Sequence, residues 1–193
     1  MLNDNINFLA QSIEKSMVIE RHGAFYQIFQ NILPKNLYKR LQKINPTNCS
    51  VKKVEQQKHK QRLRVDYKEQ ISKELNLIFR SNKIKKVFED KYKIKLQAKT
   101  SDIWFDSSGY KLEAHRDDSR ISLAIQIYLD SDDNIPGTAL YSSQNSKKPF
   151  HVFKYKSNSG YCLLNNTNSW HGCEHEHIGN KIRKSIYIRY AKI

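Results

Sequence analysis

Two short patterns in the C-terminal half hold residue types that bind a metal. His115-Arg116-Asp117 sets an imidazole and a carboxylate two positions apart, so on an extended segment both project to the same side and can reach one ion. A second imidazole, His171 in Ser169-Trp170-His171-Gly172, completes a set of two histidines and one carboxylate, the facial arrangement that leaves open positions on Fe(II). Downstream, Arg183-Lys184-Ser185 puts a guanidinium and a hydroxyl on one strand face. Together they suit a remote carboxylate, which the arginine fork can meet through two parallel hydrogen bonds. His175 and His177 share strand parity with His171 and are alternative distal ligands, although a polar loop suits them better. Cys173 reads as a buried, inert thiol.

These residues need a rigid frame, and the second half of the chain has the texture of one. Short β-rich runs at 102–105, 121–129, 138–141, 150–155, 161–165 and 182–190 lie between glycine-marked turns, which predicts an all-β barrel or sandwich. The clearest run alternates Ile121, Leu123, Ile125, Ile127 and Leu129 with Ser122, Ala124, Gln126 and Tyr128. One face is apolar and the other lines a cavity. By the same alternation Trp104, Leu112, Gln126 and Leu140 are candidates for the pocket wall. Arg189 shares the face of Arg183 and is expected to pair with a carboxylate.

The first hundred residues mix patterns. Ala24 to Phe29 reads as a strand, and a helix comes next with Pro34 near its start and Leu37, Tyr38, Leu41 and Ile44 at helical spacing. Leu63, Val65 and Tyr67 alternate with Arg62, Arg64 and Asp66, predicting a strand whose charged side is wet. From Ile71 to Tyr92 the apolar spacing predicts one long helix, or two broken near Ser81-Asn82. The helices are expected on the apolar outside of the β half, giving one domain over 1–193, with about 1–100 as helical and strand support and about 101–193 as the core that holds the site.

Composition bounds the rest. In 193 residues, 34 Lys+Arg oppose 19 Asp+Glu for a formal charge of +15, which favours anionic substrates or surfaces without specifying a fold. Three cysteines without paired spacing exclude a disulfide scaffold and suggest a reducing, cytoplasmic setting. The first twenty residues lack a basic start and an unbroken apolar run, and no apolar stretch is long enough to span a bilayer, so neither export nor membrane association is expected.

In order and spacing, His115-x-Asp117, His171 and Arg183-x-Ser185 resemble the signature of the Fe(II)/2-oxoglutarate-dependent dioxygenases, in particular the prolyl-4-hydroxylase-like branch. The flanking segments GYKLEAHRD (109–117), RISLAIQIYLD (120–130), IPGTAL (135–140) and GYCLLNNTNSWHG (160–172) resemble that branch too. Thr138 departs from the usual second glycine of its turn. Arg183 departs from the lysine common in collagen-type prolyl hydroxylases, so a prolyl substrate is not implied.

The resemblance implies a mainly β fold with N-terminal helices (α+β) built on a double-stranded β-helix, or jelly roll. It implies Fe(II) on His115, Asp117 and His171. It also implies 2-oxoglutarate anchored by Arg183 with Ser185 and Tyr128, and dioxygen as the other co-substrate. The expected activity is hydroxylation of a protein side chain or small metabolite, with release of succinate and CO2. Asp117 argues against halogenation, which needs a halide in its place. One alternative is oxidation or demethylation of nucleic acid, encouraged by the basic segment 52–64 but not favoured, because that segment lacks interleaved aromatics. The other is a non-catalytic β-barrel module with a structural metal.

Overall fold

A computed structural model of the chain describes residues 1–54 and 61–193. The alternating run becomes strand β6 (Leu123–Tyr128), and both its faces are buried. Leu123, Ile125 and Ile127 point outward into the main core. Each contributes about 1.5–3 kcal/mol by leaving water.

Four helices cover that outer face. They are α1 (Leu2–Lys15), α2 (Lys35–Gln42), α3 (Gln70–Arg80) and α4 (Asn82–Tyr92). Their buried residues, among them Leu9, Ile13, Leu37, Leu75, Phe79, Ile84 and Phe88, join the strand residues in one cluster. The predicted long helix is two: Ser81 has extended backbone, ends α3, and accepts a hydrogen bond from Ile84 N as the cap of α4. Helix α1 was not anticipated, although Ile6, Leu9, Ala10 and Ile13 recur at helical spacing and face the core.

The main sheet runs β1 (Ile19–Arg21), β2 (Ala24–Gln30), β9 (Ser159–Leu164), β6, β11 (Arg183–Lys192), β5 (Leu96–Asp106), β4 (Arg62–Val65) and β3 (Val51–Lys53). Every pairing is antiparallel. A smaller sheet of β10 (His171–Cys173), β7 (Thr138–Leu140) and β8 (His151–Phe153) faces it. The two sheets form a jelly roll, not a closed barrel. Strands from the first hundred residues therefore extend the main sheet as well as supporting it. No helix among the described residues is long and apolar enough to cross a membrane.

Register decides what shares the inner face. In β11, Arg183, Ser185, Tyr187 and Arg189 point inward. Ser185 and Tyr187 lie opposite Tyr128 and Gln126 of β6, and opposite Trp104 and Asp102 of β5. Arg62, Asp106 and Arg183 stand in one row across β4, β5 and β11. This corrects the reading of the 62–66 alternation. Its charged side is the inside of the jelly roll, and Arg62 and Asp66 are buried. Alternation separates two faces but does not say which one meets water.

Candidate active site

The His115–Asp117 segment lies in the connection between β5 and β6, tied to its surroundings by isolated bridges and not by a regular strand. Segment 109–117, whose resemblance implies the strand leading into the motif, forms no regular strand here: Tyr110 bridges His177 and His115 bridges His171. The second bridge matters most. His115 N donates to His171 O at 2.9 Å and His171 N to His115 O at 2.8 Å, so the two ligand backbones fix each other. Gly172 permits this approach, since a Cβ there would sit 2.5 Å from Leu112 O. Asn165 Nδ2 pins the loop from the other side by donating to the carbonyls of Asp117, Asp118 and Ile121.

One potential ligand atom from each of His115, Asp117 and His171 lies within 4.8 Å of the others. His171 Nε2 is 3.9 Å from Asp117 Oδ2. Both rings place Nδ1 at 2.9 Å from a backbone carbonyl, Glu113 O for His115 and Ser169 O for His171. With Nδ1–H donating, Nε2 is the lone-pair nitrogen in each ring, the tautomer a metal requires. The Tyr187 hydroxyl lies 3.0 Å from both Asp117 oxygens and donates to that carboxylate. Burial, with Asp117 beside it, holds the phenol pKa far above its ordinary value. Asp118 takes no part: it is paired with Arg120.

A second polar centre lies deeper. Asp106, fully buried, accepts from Arg62 Nε at 2.5 Å and Arg62 Nη2 at 2.9 Å, and from Arg183 Nη1 at 2.8 Å. Burial alone would raise the Asp106 pKa, but the two guanidiniums outweigh it and hold the carboxyl below its usual range. Arg183 also donates to Pro136 O at 3.0 Å, and its Cζ lies 5.2 Å from the Tyr128 ring centroid. Arg62 stacks on Trp104 with its Cζ 3.7 Å from the ring, and donates to the Tyr110 hydroxyl at 2.6 Å. The trio carries two positive charges and one negative in a nearly dry setting, which favours one further anion.

Between the two centres runs a chain of neutral groups. Tyr128 donates to Thr138 Oγ1 at 2.8 Å. Thr138 and Tyr161 donate to Gln126 Oε1, and Gln126 Nε2 donates to Ser185 Oγ at 3.1 Å. Thr138, at the position where the resemblance expects a glycine, thus joins the pocket lining.

Trp104 stacks on Tyr187 at 4.5 Å, and Leu140 lies opposite His171 in the small sheet, both on the inner side. Leu112 contributes its carbonyl to Cys173 N. His175 and His177, the alternative distal ligands, stay outside the triad. His175 is exposed, whereas His177, expected in a polar loop, is buried, with Nε2 at 2.7 Å from Lys181 O. Burial raises the Cys173 thiol pKa. Of the basic segment 52–64, residues 55–60 lie outside the described residues. Lys52 pairs with Asp66 and Arg62 is internal. Sequence reasoning missed Arg62, Asp106, Asn165 and Thr138, whose roles depend on partners far away in the chain.

No protein-family model matches the chain, and no curated protein is similar in sequence. Solved structures are similar in fold. HygX from Streptomyces hygroscopicus, with nickel, 2-oxoglutarate and hygromycin B bound, aligns over 86% of this chain and 82% of its own at 9% identity and a TM-score of 0.61. A 2OG-Fe(II) oxygenase family oxidoreductase from Burkholderia pseudomallei aligns over 99% and 90% at 12% identity and a TM-score of 0.60. A prolyl hydroxylase from Trichoplax adhaerens, in complex with a hypoxia inducible factor oxygen degradation domain peptide fragment, aligns over 98% and 90% at 11% identity and a TM-score of 0.60. The fold of this chain is that of the 2-oxoglutarate- and Fe(II)-dependent oxygenases.

Proposed function

We propose that the whole chain works as one Fe(II)- and 2-oxoglutarate-dependent dioxygenase domain that hydroxylates a protein side chain or a small metabolite. The observation that carries this reading is the pairing of two sites on one inner face. One has two imidazoles, each with Nε2 as the lone-pair atom, and a carboxylate within 4.8 Å; the other is a buried cluster of Arg62, Asp106 and Arg183 whose charges sum to one positive charge among the described residues. Two nitrogens and a carboxylate suit Fe(II), and they leave positions for a chelating co-acid and dioxygen. Bound there, the iron supplies the oxidative chemistry in which dioxygen and 2-oxoglutarate yield succinate and CO2 while one oxygen atom enters a substrate C–H bond.

The side chains do the rest. His115, Asp117 and His171 hold the metal, and Tyr187 fixes the Asp117 carboxylate. Arg183, with Arg62 behind it, takes the far carboxylate of the co-acid, and Ser185 and Tyr128 offer hydroxyls along its length. The buried aromatic and amide lining keeps bulk water out.

Succinate formation from 2-oxoglutarate, measured with and without Fe(II), is the test. It is expected to need iron and to vanish in Asp117→Ala. Iron-dependent turnover at the wild-type rate in that variant would refute the assignment. Metal binding without any consumption of 2-oxoglutarate would favour a structural metal instead.

A further inference from the structure

The Arg62–Asp106–Arg183 row has a counterpart on the same inner face. Arg64 follows Arg62 on β4, Asp102 precedes Asp106 on β5, and Arg189 follows Arg183 on β11. Asp102, nearly fully buried, accepts from Arg189 Nη2 at 2.7 Å and from the Tyr67 hydroxyl at 2.6 Å, and Arg64 Nε lies 4.0 Å from it. Burial first, then the bond to Asp102, pushes the Tyr67 pKa up to about 12, so this phenol is a neutral donor and adds no negative charge. Among the described residues, Arg64 Nε and Arg189 Nε, both buried, have no hydrogen-bond partner, while Arg64 Nη1 donates to the Tyr67 hydroxyl at 3.0 Å and Arg189 Nη2 also donates to Thr100 Oγ1, both neutral acceptors. One carboxylate therefore does not satisfy two guanidiniums, and a single positive charge is left over, as in the deeper trio. The nearby Lys52–Asp66 pair is neutral.

The two trios differ in access. Arg62 and Arg183 are buried, whereas the side chains of Arg64 and Arg189 are 31% and 30% exposed. The outer trio also adjoins the metal ligands. Arg189 Cζ is 5.7 Å from the ring of Tyr187, whose hydroxyl meets Asp117, and Trp104 stacks on the same ring.

We propose that Arg64 and Arg189, braced by Asp102, form an anion subsite for the primary substrate, taking a carboxylate or phosphate group and setting the reacting carbon beside the triad against the Trp104–Tyr187 wall. This rests on the oxygenase reading for the reaction of the bound substrate, but the subsite itself is a separate claim.

The test therefore has two arms. In the first, 2-oxoglutarate is titrated calorimetrically into protein loaded with Zn(II), so that no turnover occurs; absence of binding counts against the oxygenase reading alone. In the second, inorganic phosphate and acetate are titrated with 2-oxoglutarate saturating, or without it if the first arm fails. Wild type is expected to bind at least one of them, and the preferred anion identifies the substrate group. Arg64→Gln and Arg189→Gln are each expected to weaken that binding by about tenfold or more while 2-oxoglutarate affinity is kept, and the lysine replacements to recover part of it. A second measurement needs no variant: phenylglyoxal modification of wild type, mapped by peptide mass, is expected to slow at Arg64 and Arg189 in the presence of the bound anion but not at exposed Arg120. No binding of either anion, undiminished binding in the glutamine variants, or unchanged modification rates at both arginines would overturn the proposal.

Discussion

Replacing Arg62 by methionine keeps much of the apolar stem against Trp104 and Tyr110 but removes one charge from the buried row. In the wild type, Arg62, Asp106 and Arg183 sum to one positive charge, which, on the proposed function, the far carboxylate of 2-oxoglutarate would neutralise. In Arg62→Met the row is already neutral, and the same ligand leaves a buried negative charge. At an effective dielectric near 20 and a separation of about 6 Å, the lost attraction is about 2.8 kcal/mol, or roughly 100-fold in affinity. Asp106→Asn moves the sum the other way. It leaves two guanidiniums facing one another and costs about 3–5 kcal/mol of stability, yet it gives the pocket a stronger demand for an anion.

Calorimetric titration of 2-oxoglutarate into the Zn(II)-loaded proteins, together with thermal melts, separates the cases. Arg62→Met should bind far more weakly, with a modest drop in Tm. Asp106→Asn should melt lower by roughly 6–20 °C and regain more Tm than wild type on adding 2-oxoglutarate. A folded Arg62→Met that binds 2-oxoglutarate as tightly as wild type, or two variants that shift affinity in the same direction, would show that charge in this row does not set the affinity.

Other outcomes rest on the same geometry. Tyr187→Phe removes the donor to both Asp117 oxygens and is expected to weaken Fe(II) binding about 10- to 100-fold, with turnover recovering at saturating iron; metal titration of succinate formation reads this. Gly172→Ala forces a Cβ against Leu112 O, and the same titration should show a similar or larger loss because the His115–His171 bridge is displaced. The depressed pKa of Asp106 has a pH consequence: its contribution to stability is complete above the unfolded value near 4 and is lost as pH falls through the lower folded value. Urea unfolding between about pH 5 and pH 2 should therefore lose stability more steeply in wild type than in Asp106→Asn; equal slopes would refute the linkage.

Much of the frame was legible because local pattern and final burial agreed. The strict alternation at 121–129 gave β6 with its outer and inner faces correctly assigned, and Ser81 marked the helix break because a serine there caps the next helix. The candidate triad was legible less from the spacing of His115 and Asp117, a common triplet by itself, than from its combination with His171 and Arg183-x-Ser185 downstream. What failed depended on long-range register. Arg62 reads as a surface residue until β4 is laid beside β5, because only the pairing with Asp106 makes a buried guanidinium tolerable. His177 reads as a loop residue until its bridge to Tyr110 is seen. The amphipathic spacing of α1 is present in the sequence, but Asn3, Asn5 and Asn7 are weak helix formers and dilute it, so packing against the core decides that helix.

The placement of the three candidate ligands has a mechanical side. His171 rides on the three-stranded sheet, His115 is bonded to it, and Asp117 is gripped by Tyr187 from the eight-stranded sheet. Among the described residues the two sheets exchange no ladder hydrogen bonds with each other, so at this end of the jelly roll an ion would act as a clasp between layers otherwise joined by side chains and connecting loops. Occupancy of the centre and closure of the sandwich would then be one equilibrium, with each strengthening the other by the free energy of binding.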